Sequence, residues 1–147
     1  MKTLATILFA FFICASNVNA QNTYTSTADA GEPGSFIYNG IVSKADLQSN
    51  PAFTWYAANE KNYTAKEAQV NILKEGKGKL KYLVFGGTWC SDTHFILPKF
   101  FKLMEAATIA DTDISFFAAD RNKKTIGNIT EVLNITNVPT IIVMKEG

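Results

Sequence analysis

The chain has 147 residues, of which 47% are hydrophobic and 18% are charged, and its formal net charge is +1. This length suits one domain with a single hydrophobic core of modest size. The composition is typical of a soluble globular protein. A charge so close to zero argues against electrostatic capture of nucleic acid or of an anionic membrane surface. We therefore expect no nucleic-acid partner.

The first twenty residues have the pattern of a cleavable signal peptide. Lys2 supplies a positive charge, residues 4–15 form an apolar run, and small residues precede Ala20. The run is shorter than the roughly 20 residues that span a bilayer. We expect cleavage after Ala20, no stable membrane insertion of the mature chain, and an extracytoplasmic location, periplasmic or secreted. The alternative is a lipoprotein acylated at Cys14, against which the bulky residues 11–13 argue.

The two cysteines of the sequence, Cys14 and Cys90, would be reduced to one by this cleavage. The mature chain would then form no intramolecular disulfide, although the compartment beyond the membrane permits disulfides. One cysteine and one histidine, His94, are too few for an ordinary zinc site. Residues 111–113 lack the glycine and the closing glutamate of a calcium loop. We expect neither a metal nor a cofactor.

Before residue 64 the chain is predicted to hold only short elements. Residues 21–34 lack apolar periodicity and are predicted to form a flexible leader. Ser43-Lys44-Ala45-Asp46 is typical of a helix start, and Asn50-Pro51 ends that helix. Aromatic residues at 53–56 then predict a second short helix. Residues 35–63 are accordingly predicted to be a helical lead-in.

After residue 64, strands and helices alternate. Thr64 and Glu67 form a capping box that predicts a helix ending at Gly76. The apolar run 82–85 predicts a strand buried on both faces. Further elements are expected at 95–104 (a helix kinked by Pro98), 114–118 (a strand), 128–133 (a helix) and 139–144 (a strand), with a solvated charged loop at 120–124. This alternation predicts an α/β domain over residues 64–147, with a mostly parallel sheet and helices on both faces.

The strand–turn–helix at residues 82–104 carries the main chemical signal, because it places Cys90 at the N-terminus of a helix. Free N–H groups and the helix dipole favour an anion there, and the thiolate is the nucleophilic form of cysteine. The alternative, a small buried hydrophobe, does not suit a Gly-rich polar turn. His94 would stabilise a thiolate when protonated, or else it faces solvent, and Asp92 would disfavour the thiolate.

Two blocks of sequence resemble the thioredoxin superfamily, and specifically an exported bacterial branch with a Gly-Thr-Trp-Cys-x-Asp-Ser/Thr signature. The first block is Gly87-Thr88-Trp89-Cys90-Ser91-Asp92-Thr93, and the second is Asn137-Val138-Pro139-Thr140 before an apolar strand. The resemblance covers roughly residues 64–147 and implies a thioredoxin-like fold with Cys90 as catalytic residue. It implies that the active-site neighbours are Trp89, Ser91, Asp92, Thr93 and His94, and that the substrate-binding residues are Val138, Pro139 and Thr140.

In such folds the X-Pro bond of the second block is cis and faces the active cysteine. The resemblance implies that the Val138 backbone pairs with an extended substrate strand while Cys90 attacks its disulfide. The alternative is an ordinary proline at the start of a strand. Protein thiols or disulfides are the implied partners, and a small-molecule thiol is a further one.

Two departures from the family pattern limit the implied activity. Thr93 stands where the usual motif has a second cysteine, and Val84 stands where many members carry a buried acid. Without the second thiol, an external thiol must resolve a mixed disulfide at Cys90, so the implied function is monothiol thiol–disulfide exchange. A redox-inactive module that binds extended peptides and a peroxidase-like reaction through sulfenic acid are the alternatives. Related domains continue into another strand and helix, so we expect the sequence to be a fragment.

Overall fold

The computed structural model describes residues 23–145. The predicted signal peptide and Cys14 lie outside these residues. The strands are β1 (Tyr24–Ala28), β2 (Phe36–Ile41), β3 (Leu80–Gly86), β4 (Ile114–Ala118) and β5 (Thr140–Lys145). The helices are α1 (Lys44–Ser49), α2 (Thr54–Lys61), α3 (Glu67–Glu75), α4 (Ser91–Ala106) and α5 (Ile129–Val132). Within residues 23–145, none of the helices has the length and apolar character needed to cross a membrane.

The predicted α/β architecture is confirmed, but the sheet is not mostly parallel. The five strands lie in the order β1-β2-β4-β3-β5, and β3 and β4 pair in parallel. The β1–β2, β2–β4 and β3–β5 pairs are antiparallel. The crossover through α4 allows β3 and β4 to run in the same direction. β5 instead starts beside the end of β3, where Thr140 pairs with Phe85, so it runs back along β3.

The prediction of a flexible leader and a helical lead-in was wrong for residues 24–41. β1 and β2 form a hairpin there, and β2 joins the rest of the sheet through the Gly40–Ala118 and Ile41–Phe117 pairs. β1 is an edge strand with little buried surface apart from Tyr24, whose ring lies 4.5 Å from that of Tyr38. A strand exposed on both faces needs no apolar alternation, which explains why the sequence pattern did not reveal it.

Helices α1 to α4 cover one face of the sheet. Tyr82, Val84 and Phe116 of the sheet share a buried core with Leu97 and Phe100 of α4. α4 is one continuous helix that contains Pro98. The helix starts at Ser43 and Thr64 also lie on this side of the sheet, ahead of α1 and α3.

Of these two predicted helix starts, one is confirmed and one is wrong. The Ser43 side chain accepts the Asp46 N–H at 3.1 Å while the Asp46 carboxylate accepts the Ser43 N–H at 2.8 Å, a complete capping box. At Thr64 no such box forms, because α3 begins only after Lys66 and has no side-chain cap. Glu67 is therefore the first residue of α3 and not the third. A capping box needs its glutamate at the third position, so Glu67 does not form one with Thr64.

The opposite face has a smaller core formed by Phe85, Phe117 and Ile135. The Phe85 and Phe117 rings stack at a centroid distance of 5.2 Å. The segment that covers them includes α5 and continues to Val138, which packs against this core. Helices thus lie on both faces as predicted, and the packing of this face positions the loop before β5. The prediction that a further strand and helix follow concerns chain beyond residue 145 and stays a prediction.

Candidate active site

Cys90 is the N-cap residue of α4. Its backbone is extended, its N–H donates to the Gly87 carbonyl at 3.0 Å, and its carbonyl accepts the His94 N–H at 2.9 Å. The thiol is partly buried. Its Sγ lies 3.5 Å from the Val138 carbonyl oxygen. The fold therefore brings together two sequence blocks that lie far apart along the chain.

The loop before β5 presents an unused backbone donor next to this thiol. The Val138–Pro139 peptide bond is cis. Among residues 23–145 the Val138 N–H has no hydrogen-bond partner. Thr140 does not face outward from this loop as a free donor, because its Oγ1 donates to the Asn137 carbonyl at 2.8 Å. An extended chain that adds to a strand edge requires such an open backbone group.

Thr93 stands where the usual motif has its second thiol, and its buried side chain stabilises the turn that precedes α4. The side chain is fully buried, and its Oγ1 accepts the Gly87 N–H at 3.2 Å. Its Cγ2 lies against Gly86, where an added Cβ would come within 2.9 Å. Val84 is likewise fully buried, in the apolar core on the α4 side of the sheet. Neither residue supplies a thiol or an acid at the site.

His94 does not face solvent as one alternative expected, and its stabilisation of a thiolate stays a prediction. Its ring is half-buried and stacks on Trp55, with centroids 4.2 Å apart and planes at 9°. Nε2 lies 2.7 Å from the Thr88 carbonyl, and because a carbonyl only accepts, Nε2 donates. His94 therefore ties the active-site turn to α2. Ser91 and Asp92, in contrast, are exposed in the first turn of α4, as expected of residues at a helix start.

Trp89 is held on three sides next to Cys90. Its indole N–H donates to the Ala119 carbonyl at 2.9 Å. Its ring lies against Gly87, where an added Cβ would come within 2.6 Å of the indole. The Arg121 guanidinium carbon lies 5.2 Å from the ring centre, within cation–π range. Sequence reasoning did not single out Arg121, which lies in the charged loop 120–124 that was predicted to be solvated, with the rim of the substrate groove as the alternative. Arg121 follows β4, whose end lies at the same end of the sheet as the turn that carries Cys90, and this position was the signal that could have placed it near the site.

Thr88 joins the active-site turn to β2. The side chain is fully buried. Its Oγ1 donates to the Phe36 carbonyl at 2.8 Å and accepts the Tyr38 N–H at 3.0 Å. One hydroxyl therefore satisfies two backbone groups of β2.

Replacing this hydroxyl with a methyl group tests that contribution. We expect Thr88→Val to lower the free energy of unfolding by about 1–3 kcal/mol, because a buried N–H and a partly buried C=O each lose a partner. Urea denaturation followed by circular dichroism measures the change. Thr27→Val on the exposed face of β1 is the control. Equal stability in the two variants would show that the hydroxyl does not support the turn.

Comparison with known proteins agrees with this fold. A family model described as thioredoxin matches residues 48–147, from the end of α1 to the end of the chain. No curated protein and no solved structure matches the chain. The matched residues include Cys90, Thr93 and Pro139, whereas β1 and β2 precede them. The match extends over more than half of the sequence, and the chain belongs to the thioredoxin family, with a thioredoxin-like fold.

Proposed function

We propose that the chain carries out monothiol thiol–disulfide exchange through Cys90. Membership of the thioredoxin family indicates oxidoreductase-like thiol chemistry in general terms. The observation that carries the finer proposal is the 3.5 Å approach of Cys90 Sγ to the Val138 carbonyl, next to the unused Val138 N–H. A peptide that pairs with this backbone as an added strand would bring its disulfide to the thiol.

The reaction has two exchange steps. The Cys90 thiolate attacks one sulfur of the substrate disulfide, a new S–S bond forms, and the other substrate sulfur leaves as a thiolate that takes a proton from solvent. A hydroxyl such as that of Thr93 does not displace sulfur, so the mixed disulfide persists until an external thiolate attacks it. Attack at the Cys90 sulfur releases the substrate as a thiol and leaves Cys90 in a disulfide with the external thiol, which a second external thiolate opens. Attack at the substrate sulfur frees the Cys90 thiolate directly and leaves the substrate in a disulfide with the external thiol.

Either route returns Cys90 to the thiolate form and so permits turnover. We propose proteins with disulfides or thiols as partners and a small-molecule thiol as the resolving reagent. We also propose that the exchange takes place outside the cytoplasm, in the periplasm or after secretion. The support for this location is the signal-peptide pattern of residues 1–20.

A mixed-disulfide experiment tests the proposal. We expect the chain incubated with a peptide disulfide to accumulate a Cys90–peptide adduct, detected by intact mass, which a small-molecule thiol then releases. Cys90→Ser should form none. The matched control is Cys90→Ser combined with Ser26→Cys, which places an exposed thiol on β1, outside the site. The proposal fails if the Ser26→Cys thiol reacts as fast as Cys90.

The second candidate is a redox-inactive module that binds extended peptides. The buried Thr93 and Val84 favour it, because both replace groups that dithiol turnover uses. Peptide affinity distinguishes the two functions. If the chain is a binding module, Cys90→Ser keeps the affinity for an extended peptide and the wild-type protein forms no adduct. If the chain is an exchange protein, the wild-type protein forms the adduct.

A further inference from the structure

The buried carboxylate of Asp29 forms an ion pair with Arg121, the residue whose guanidinium lies over the Trp89 ring. The Asp29 side chain is 1% exposed and that of Arg121 is 47% exposed. Arg121 Nη2 lies 2.7 Å from Oδ2 and 2.9 Å from Oδ1 of Asp29, and Nε lies 3.2 Å from Oδ1. Such a forked contact fixes the plane of the guanidinium as well as its position. The orientation of Arg121 over the indole is therefore set by Asp29.

Asp29 is itself fixed in the turn between β1 and β2. Its Oδ1 accepts the Gly31 N–H at 2.8 Å, and its own N–H donates to the Ser35 carbonyl at 3.0 Å. The Arg121 hydrogen bonds, helped by the Gly31 N–H, hold the pKa of Asp29 below its ordinary value although burial opposes them. The carboxylate is therefore charged at neutral pH and stays bound to Arg121.

Gly31 brings this turn into direct contact with the guanidinium. A Cβ at residue 31 would lie 2.6 Å from Arg121 Nη2. The contacts thus run without a gap from the β1–β2 turn through Arg121 to Trp89, the neighbour of Cys90. The turn precedes the residues that match the thioredoxin model, so this support comes from a part of the chain that lies outside the match.

We propose that Asp29 is a positioning residue that acts through Arg121 to fix the Trp89 indole next to Cys90 and so raises the affinity for peptide disulfides. Trp89 is half-buried, so part of its ring forms the surface beside the thiol. Without Arg121 over its ring, the indole keeps its N–H bond to Ala119 and its contact with Gly87 but loses the cation–π contact. The affinity part of this proposal rests on the proposed function, whereas the position of Trp89 does not.

Two variants test the position of Trp89. The sequence contains two tryptophans, so in a Trp55→Phe background the fluorescence reports Trp89 alone. We expect Asp29→Asn to increase acrylamide quenching and to lower the anisotropy of Trp89. Gly31→Ala, which keeps both charges and displaces Nη2, should act in the same direction. The control is Asp113→Asn, which removes the Lys81–Asp113 ion pair elsewhere in the fold. Unchanged quenching in folded Asp29→Asn and Gly31→Ala would overturn the proposal.

Rate constants test the affinity part. With a peptide disulfide, we expect Asp29→Asn to lower the second-order rate constant of Cys90 by roughly three- to tenfold, the effect of losing one aromatic contact. With dithiodipyridine, a small neutral disulfide, the rate should stay the same. Arg121→Lys should lower the peptide rate constant as well, since the lysine ammonium cannot make the forked contact with Asp29. Equal peptide rates in Asp29→Asn and Asp113→Asn would overturn the affinity part. If wild type forms no peptide adduct, the proposed function and the affinity part fall together, while quenching still decides the position of Trp89.

Discussion

Replacing Thr93 with cysteine is expected to convert a chain that needs an external thiol to resolve its mixed disulfide into one that resolves it within the same molecule. Thr93 follows Cys90 by one helical turn, and residues three apart lie on the same side of a helix. A thiol at residue 93 would therefore attack the Cys90 mixed disulfide within the same molecule. The expected side effect is a loss of about 1 kcal/mol of stability, because the Gly87 N–H loses its hydroxyl acceptor.

Release of reduced peptide in a single turnover, with no thiol added, measures this gain. Thr93→Cys should release one equivalent of reduced peptide per chain, whereas wild type should keep the peptide as the Cys90 adduct. The matched control is Thr130→Cys, since Thr130 is also a buried threonine but lies on α5. No gain over Thr130→Cys would show that Cys90 is not placed for exchange.

Replacing Phe85 with alanine is expected to lower the free energy of unfolding strongly and to loosen the loop that carries Val138. Phe85 is fully buried and stacks on Phe117 in the smaller core. Removing a buried phenylalanine side chain lowers the free energy of unfolding by about 3–5 kcal/mol. Because Ile135 and Val138 pack on the same cluster, the cavity opens directly behind the candidate substrate-binding loop.

Hydrogen–deuterium exchange separates the local effect from the global one. Phe100→Ala removes a buried ring from the opposite face and should cost a similar free energy. We expect residues 129–138 to lose protection in Phe85→Ala and to keep it in Phe100→Ala. Phe85→Leu, with a cost of about 1 kcal/mol, serves if the alanine variant does not fold. The same protection of residues 129–138 in the variants of both faces would contradict a specific role of the smaller core.

The elements that could be predicted are those set by local interactions. The strand at 114–118 has the predicted bounds, and the Ser43–Asp46 capping box forms within four consecutive residues. The box at Thr64 has the same local pattern and fails. The half-buried Val70 and Leu73 of α3 pack against the core, so packing of this helix competes with the local cap in setting its first residue. The orientation of β5 also depends on packing, because it is set by the course of residues 119–139 at one end of the sheet.

In the candidate site, too, some residues could be predicted from local sequence and others could not. Cys90 and the Val138–Pro139 loop were predictable from motif residues, and the structure places them together. The support around them was not predictable. Asp29 and Arg121 lie 92 residues apart along the chain, and their contact requires a hairpin that has no periodic signal. The stacking of His94 on Trp55 depends on the packing of α2 against α4.

The β1–β2 hairpin also determines where the protein can be shortened. A truncation that begins at residue 48, where the family match starts, would remove the β2 groups that hold Thr88 and the carboxylate that holds Arg121. It would also uncover the edge of β4, and an open, apolar sheet edge invites aggregation. We therefore expect the autonomous folding unit to be larger than the region of sequence similarity, and expression boundaries for this protein belong ahead of Tyr24.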